Sequence, residues 1–170
     1  MSAVETAARV LNVIVGLEHV WIMSLETILW RTKARAVFRT RSSDLNSTAG
    51  MAAQQGIYNL FLAIGSIQSA AIIDYRGLVM YPSFMFWAAC FGSTSILPKI
   101  FPVQGGPALI AVVVSLVAMD ESGGGGGGES VHFAIGVFVG AVVLSIAGLE
   151  WKKRDKVARE VGEQMLPEKK

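Results

Sequence analysis

The chain has 170 residues, 52% of them hydrophobic and 16% charged, with a mean hydropathy of +0.50. That is too apolar and too poor in charge for an ordinary soluble domain. The net charge of +2 gives no argument for a nucleic-acid partner, and the single cysteine, Cys90, excludes an intrachain disulfide, a CxxC redox pair and a multi-cysteine metal site.

A hydrocarbon core of roughly 30 Å takes about 20 apolar helical residues to cross. Five runs of that order follow one another: Ala8–Trp30, Ala52–Ile73, Leu78–Ile96, Phe101–Met119 and Val131–Trp151. The first contains LEHVWIMSLETILW (17–30), which sets Glu18, His19 and Glu26 among apolar residues. It is longer than a signal-peptide core and carries ionisable groups, so it reads as a retained span. The 31–51 segment is a basic loop. The third run ends in Cys90, Ser93, Thr94 and Ser95, a small-residue patch suited to close helix approach. The fourth starts with Pro102, Gly105, Gly106 and Pro107, which predicts a short or bent entry. DESGGGGGGES (120–130) is a flexible linker, because no strand precedes its glycines and no GK[ST] follows them. Beyond Trp151, KKRDKVAREVGEQML extends the fifth helix into water as far as Pro167.

ALIAVVVSLVAM (108–119) and FAIGVFVGAVVLSIAGL (133–149) are apolar all round, so neither has the polar face of a soluble helix. The expected fold is an all-α integral membrane bundle. It comprises four spans over residues 1–119, the 120–130 linker, and a fifth span with a basic tail over 131–170. Trp30, Trp151, Tyr75 and Tyr81 fall near span ends, where amphipathic rings favour the interface.

Charge placement orients this arrangement, since short loops rich in Lys and Arg stay on the cytoplasm-like side. Five spans put Arg31, Lys33, Arg35, Arg39, Arg41, Lys99, Lys152, Lys153, Arg154, Lys156, Arg159, Lys169 and Lys170 on one side and leave Arg9 and Arg76 on the other. Thirteen against two predicts the N-terminus outside and the C-terminus on the positive side. Lys152, Lys153 and Arg154 form the head-group flank of the last span.

At about 100° per residue, helix positions seven apart return to within roughly 20° of each other. Asn12, His19 and Glu26 therefore make one polar stripe, with Glu18 some 80° from Glu26. On the second span Gln55, Asn59 and Ser66 share a face, with Gln54 beside them. Polar groups in lipid must turn inward and find partners, and the natural partners here are one another. Such a set fits several roles: structural pairing of helices, a divalent metal site on Glu18, His19 and Glu26, a proton relay, or a hydrogen-bonded quinone-like head group. The spacing is not the ExxH of di-iron bundles. The other histidine, His132, falls at the opposite interface from Glu26, and no nucleophile is matched to a base, so hydrolytic chemistry has no support.

Three segments, LEHVWIMSLETILW followed by a basic loop, AAQQGIYNLFLAIGS and KIFPVQGGPALIA, resemble the successive signatures of a small membrane-protein family named domain of unknown function 1304, known mostly from bacteria. The likeness covers roughly residues 8 to 118. It implies a four-helix membrane bundle with marked polar positions at Glu18, His19, Glu26, Gln55, Asn59, Lys99 and Gln104, and it implies no activity. The linker and fifth span are additions to the family pattern.

Those additions point first to a non-catalytic accessory or assembly subunit of a larger membrane complex, with the bilayer and other membrane subunits as partners. A small transporter or proton carrier working through the Glu/His stripe is the alternative. A metal- or quinone-binding protein is the third reading, and a bound lipid or pigment would belong to an energy-transducing complex. Five spans with no visible inverted repeat are few for a transporter.

Overall fold

The computed structural model describes residues 1–38, 40–123 and 129–164. Arg39, the glycines at 124–128, Pro167, Lys169 and Lys170, which entered the sequence reading, lie outside the described residues. Six α-helices carry the described chain: α1 (Ala3–Thr27), α2 (Trp30–Phe38), α3 (Ala49–Ile72), α4 (Tyr75–Ser95), α5 (Gly106–Glu121) and α6 (Glu129–Gln164). Among the described residues there is no strand.

Local chemistry sets the boundaries. Ser2 caps α1 by accepting a hydrogen bond from the Glu5 backbone N–H at 3.1 Å, the S-x-x-E signature of a helix start. The first run ends at Thr27, short of the expected Trp30, and part of the basic loop forms α2. The reason is tertiary: the Trp30 indole N–H donates to the Leu45 carbonyl at 3.0 Å, and its ring meets Phe38 at 5.7 Å. Ile73, after α3, sits in the left-handed region at φ 60°, an unusual conformation for a β-branched residue that lets the chain turn tightly into α4. Entry into α5 is bent, as expected, through a π-helical turn over Phe101–Gly105.

Helices α1, α3, α4 and α5 close a ring in which each packs on the next, and α6 lies outside it against α4. α1, α4 and α6 run one way and α3 and α5 the other. Tyr75 at the start of α4 reaches Glu5 at the start of α1, whereas Ser2 of α1 meets Glu121 at the end of α5. The shared core is Val15, Val79, Met85, Phe86, Cys90, Ala108, Ala111, Val112, Met119 and Val137. Outward, large apolar side chains stand bare round the bundle, among them Trp21 (54% exposed), Phe61 (60%) and Phe138 (70%). Water does not tolerate so continuous a belt, and lipid does.

By length and composition three helical stretches can cross a membrane: Ala3–Thr27, Phe101–Glu121 and Ser130–Glu160. α3 and α4, expected as the second and third spans, are 24 and 21 residues long but less uniformly apolar. Gln54, Gln55, Asn59, Ser66, Gln68 and Ser69 dilute α3, and Arg76, Pro82 and Ser83 dilute α4. α6 has 36 residues, hence a length of about 54 Å, which outruns a hydrocarbon core of roughly 30 Å and carries its basic end beyond it.

Close approach of α1 and α3 depends on glycine. A Cβ at Gly16 would lie 2.6 Å from Ile67 Cγ1, and one at Gly56 would lie 2.7 Å from Thr27 Cγ2 and 3.1 Å from the Met23 carbonyl oxygen. A side-chain end can rotate away, but a backbone carbonyl cannot. Gly56→Val is therefore expected to cost about 1–3 kcal/mol, lowering the midpoint of thermal unfolding in detergent. Gly50→Ala, where an added Cβ meets nothing within 4 Å, is the control and should not lower the midpoint.

Candidate functional site

The sevenfold spacing on α1 becomes a ladder of buried polar contacts. Asn12 is fully buried; its Nδ2 donates to the Ala8 carbonyl at 3.0 Å and to Ser115 Oγ on α5 at 3.1 Å. Ser66 Oγ on α3 lies 2.9 Å from Asn12 Oδ1 and 3.0 Å from the Asn12 carbonyl, and donates to both as acceptors. One side chain thus ties three helices. Two turns along, His19 is 1% exposed and its Nδ1 donates to the Val15 carbonyl at 2.9 Å, which leaves Nε2 with the lone pair in the neutral ring. Two turns further, Glu26 Oε2 accepts from Asn59 Nδ2 at 2.7 Å. Fourteen residues of rise place Asn12 and Glu26 about 21 Å apart, so these are separate rungs rather than one pocket.

Glu18 faces differently. Its Oε1 is enclosed, and among the described residues no hydrogen-bond donor reaches it. Among the described residues no three His, Cys, Asp or Glu side chains gather as a metal site, so Glu18, His19 and Glu26 are not brought together as ligands. The reason is axial: neighbouring stripe residues share a face but stand two helical turns apart.

The other marked positions lie off the ladder. Gln55 is exposed although it shares a helix with Asn59, Lys99 is exposed at the α4–α5 turn, and Gln104 is half-buried on the π-helical turn. Lys152, Lys153 and Arg154 are exposed on α6, where Lys153 pairs with Glu150 at 2.6 Å. Such an exposed pair adds little stability. The patch around Cys90 does what small residues allow: Ser93 and Thr94 donate back to the Cys90 carbonyl at 3.0 Å. α6 then packs there through Gly148, where a Cβ would come within 2.8 Å of the Phe91 carbonyl oxygen.

Sequence reasoning passed over two members of the ladder. Glu5 precedes Asn12 by seven, and its Oε2 accepts from the Tyr75 hydroxyl at 2.8 Å, so the same spacing rule identifies it. Ser115 is the lone polar residue of the 108–119 run, which is its signal. Contacts of this kind in a bundle are each worth about 0.6 kcal/mol, rarely above 1.7. A double-mutant cycle on Asn12→Ala and Ser115→Ala, read by thermal unfolding in detergent, should give a coupling in that range. Additivity of the two substitutions would show that the rung contributes nothing.

Comparison with known proteins bears on the same segment. The chain is 32% identical over 114 residues to the uncharacterized protein YpaA of Lactococcus lactis subsp. lactis, an alignment covering 62% of this chain and 93% of that protein. No solved structure matches. A family match spans residues 13–116, from the residue after Asn12 through Ser115 and short of α6, and so takes in most of the ring helices that the polar ladder joins. The chain belongs to the family described as Protein of unknown function (DUF1304).

Proposed function

We propose that this protein is a multi-pass membrane protein acting as a non-catalytic accessory subunit of a larger membrane complex, with its bundle as the stable body and α6 as the docking element. One observation carries the reading: the polar ladder is consumed by internal hydrogen bonds, while α6 is held along a single side. The Trp87 indole N–H donates to the Val137 carbonyl at 2.9 Å, and Gly140 and Gly148 lie against α4. Around that seam Ile135, Phe138, Val139, Val142, Val143, Ile146 and Leu149 are all exposed. A helix bound on one side has the rest of its circumference to offer to another membrane subunit.

In this reading all five long helices cross the bilayer, with α1, α4 and α6 ending on the positive side. The directions of the helices support it, because they bring the 31–51 segment, Lys99 and the basic end of α6 to one end of the bundle. α2, with Arg31 and Lys33 exposed and Trp30 half-buried, suits the interface at that end. The test is extraction from the native membrane in mild detergent, followed by native gel separation and mass spectrometry. The expected band is large and holds stoichiometric partners; a band at the mass of the monomer or dimer overturns the reading.

A proton or ion carrier is the second reading, favoured by the enclosed Glu18 Oε1 that no donor among the described residues satisfies. Buried carboxyl oxygens without partners are rare and mark intramembrane function. Flux measured in vesicles holding the purified protein should then vanish in Glu18→Gln. Absence of flux in the unaltered protein sinks this reading.

A further inference from the structure

The groove where α4 and α6 begin combines an apolar body with two basic side chains. Its volume is about 460 Å³, its walls include Phe84, Trp87, Phe133 and Val137, and its lining also includes Arg76 and His132. Those two stand in the first turns of α4 and α6, which run in parallel, so both belong to one end of the groove. From Arg76 to Trp87 is eleven residues, a rise of about 16 Å along α4, close to the depth of one leaflet of a hydrocarbon core of roughly 30 Å. The trough thus has a basic head and an apolar body of single-leaflet length.

Two features keep it open. The Trp87 indole is held to the Val137 carbonyl at 2.9 Å, which fixes the floor. Gly136 lines the wall, and a Cβ added there would meet nothing within 4 Å, so the lack of a side chain leaves space that the protein does not fill. Charge placement adds a further argument. Arg76 and Arg9 are the basic side chains on the charge-poor side of the chain, where orientation calls for none, and Arg76 lines this groove.

We infer that the α4–α6 groove binds one anionic phospholipid, with its phosphate at Arg76 and His132 and an acyl chain along Phe84, Trp87 and Gly136. A guanidinium is the side chain best suited to a phosphate, which it can engage through two parallel N–H donors. A zwitterionic phospholipid offers the same chain but carries its own cation beside the phosphate, so the site discriminates by head group. The inference rests on the five-span reading above, in which α4 and α6 both cross the bilayer, and not on a place in a complex.

The test is native mass spectrometry of the full chain after incorporation into bilayers of phosphatidylcholine with a minor fraction of phosphatidylglycerol, and gentle re-extraction. The protein should retain one phosphatidylglycerol. Arg76→Gln should weaken retention about tenfold, the loss of a charge-assisted contact. Gly136→Phe should abolish retention while leaving the thermal unfolding midpoint in place, since the added ring enters empty space. Equal retention of the two lipids overturns the proposal, as does a phosphatidylglycerol kept in Gly136→Phe. Cross-linking of position 136 to a protein partner in native membranes would assign the groove to that partner and overturn it as well.

Discussion

Everything in the ring of helices depends on one requirement: a polar side chain turned away from water must find its hydrogen bonds inside the protein. Asn12 meets it with bonds to its own helix, to Ser66 of α3 and to Ser115 of α5. Because the alternative is an amide with no partner, the three helices are held in one register. Glu26 with Asn59, and Glu5 with Tyr75, repeat the device toward the two ends of α1. Hydrophobic attraction between helices is weak when the surroundings are as apolar as the helices, so these bonds and the close contacts at Gly16 and Gly56 carry the specificity.

α6 obeys a different logic. It lies outside the ring and the family match, and the contacts that hold it run mainly along α4, with a lesser contact to α5 where Ser130 Oγ donates to Asp120 Oδ1 at 3.4 Å. Attachment at one seam leaves most of its circumference to lipid or to another chain, and its basic end projects past the bundle. The helix outside the ring leaves every polar rung intact, because none of the rung residues belongs to it.

Much of this was legible in the residues. The heptad spacing of Asn12, His19 and Glu26 predicted a common face, and all three turn toward the interior as the cost of burying polar groups in lipid requires. The bent start of α5 followed from Pro102, Gly105, Gly106 and Pro107, and the small-residue patch at the end of α4 did become a helix contact. Gln55 was misjudged as a stripe member because sequence periodicity gives an angle round the helix without saying how far the facing helix extends. α2 was missed because its order depends on Trp30 reaching the Leu45 carbonyl, a contact absent from any local pattern.

By itself, then, the sequence determined the class of the protein, its five long helices and which side of α1 is polar, since composition, apolar run length and heptad spacing are local quantities. Only the tertiary structure decided how those polar groups are spent. Angular position is a property of one helix, whereas partnership needs the depth and rotation of two. That is why Asn12 joins three helices, Glu26 takes Asn59, and Glu18, one residue from His19, is left with an oxygen that no described neighbour satisfies.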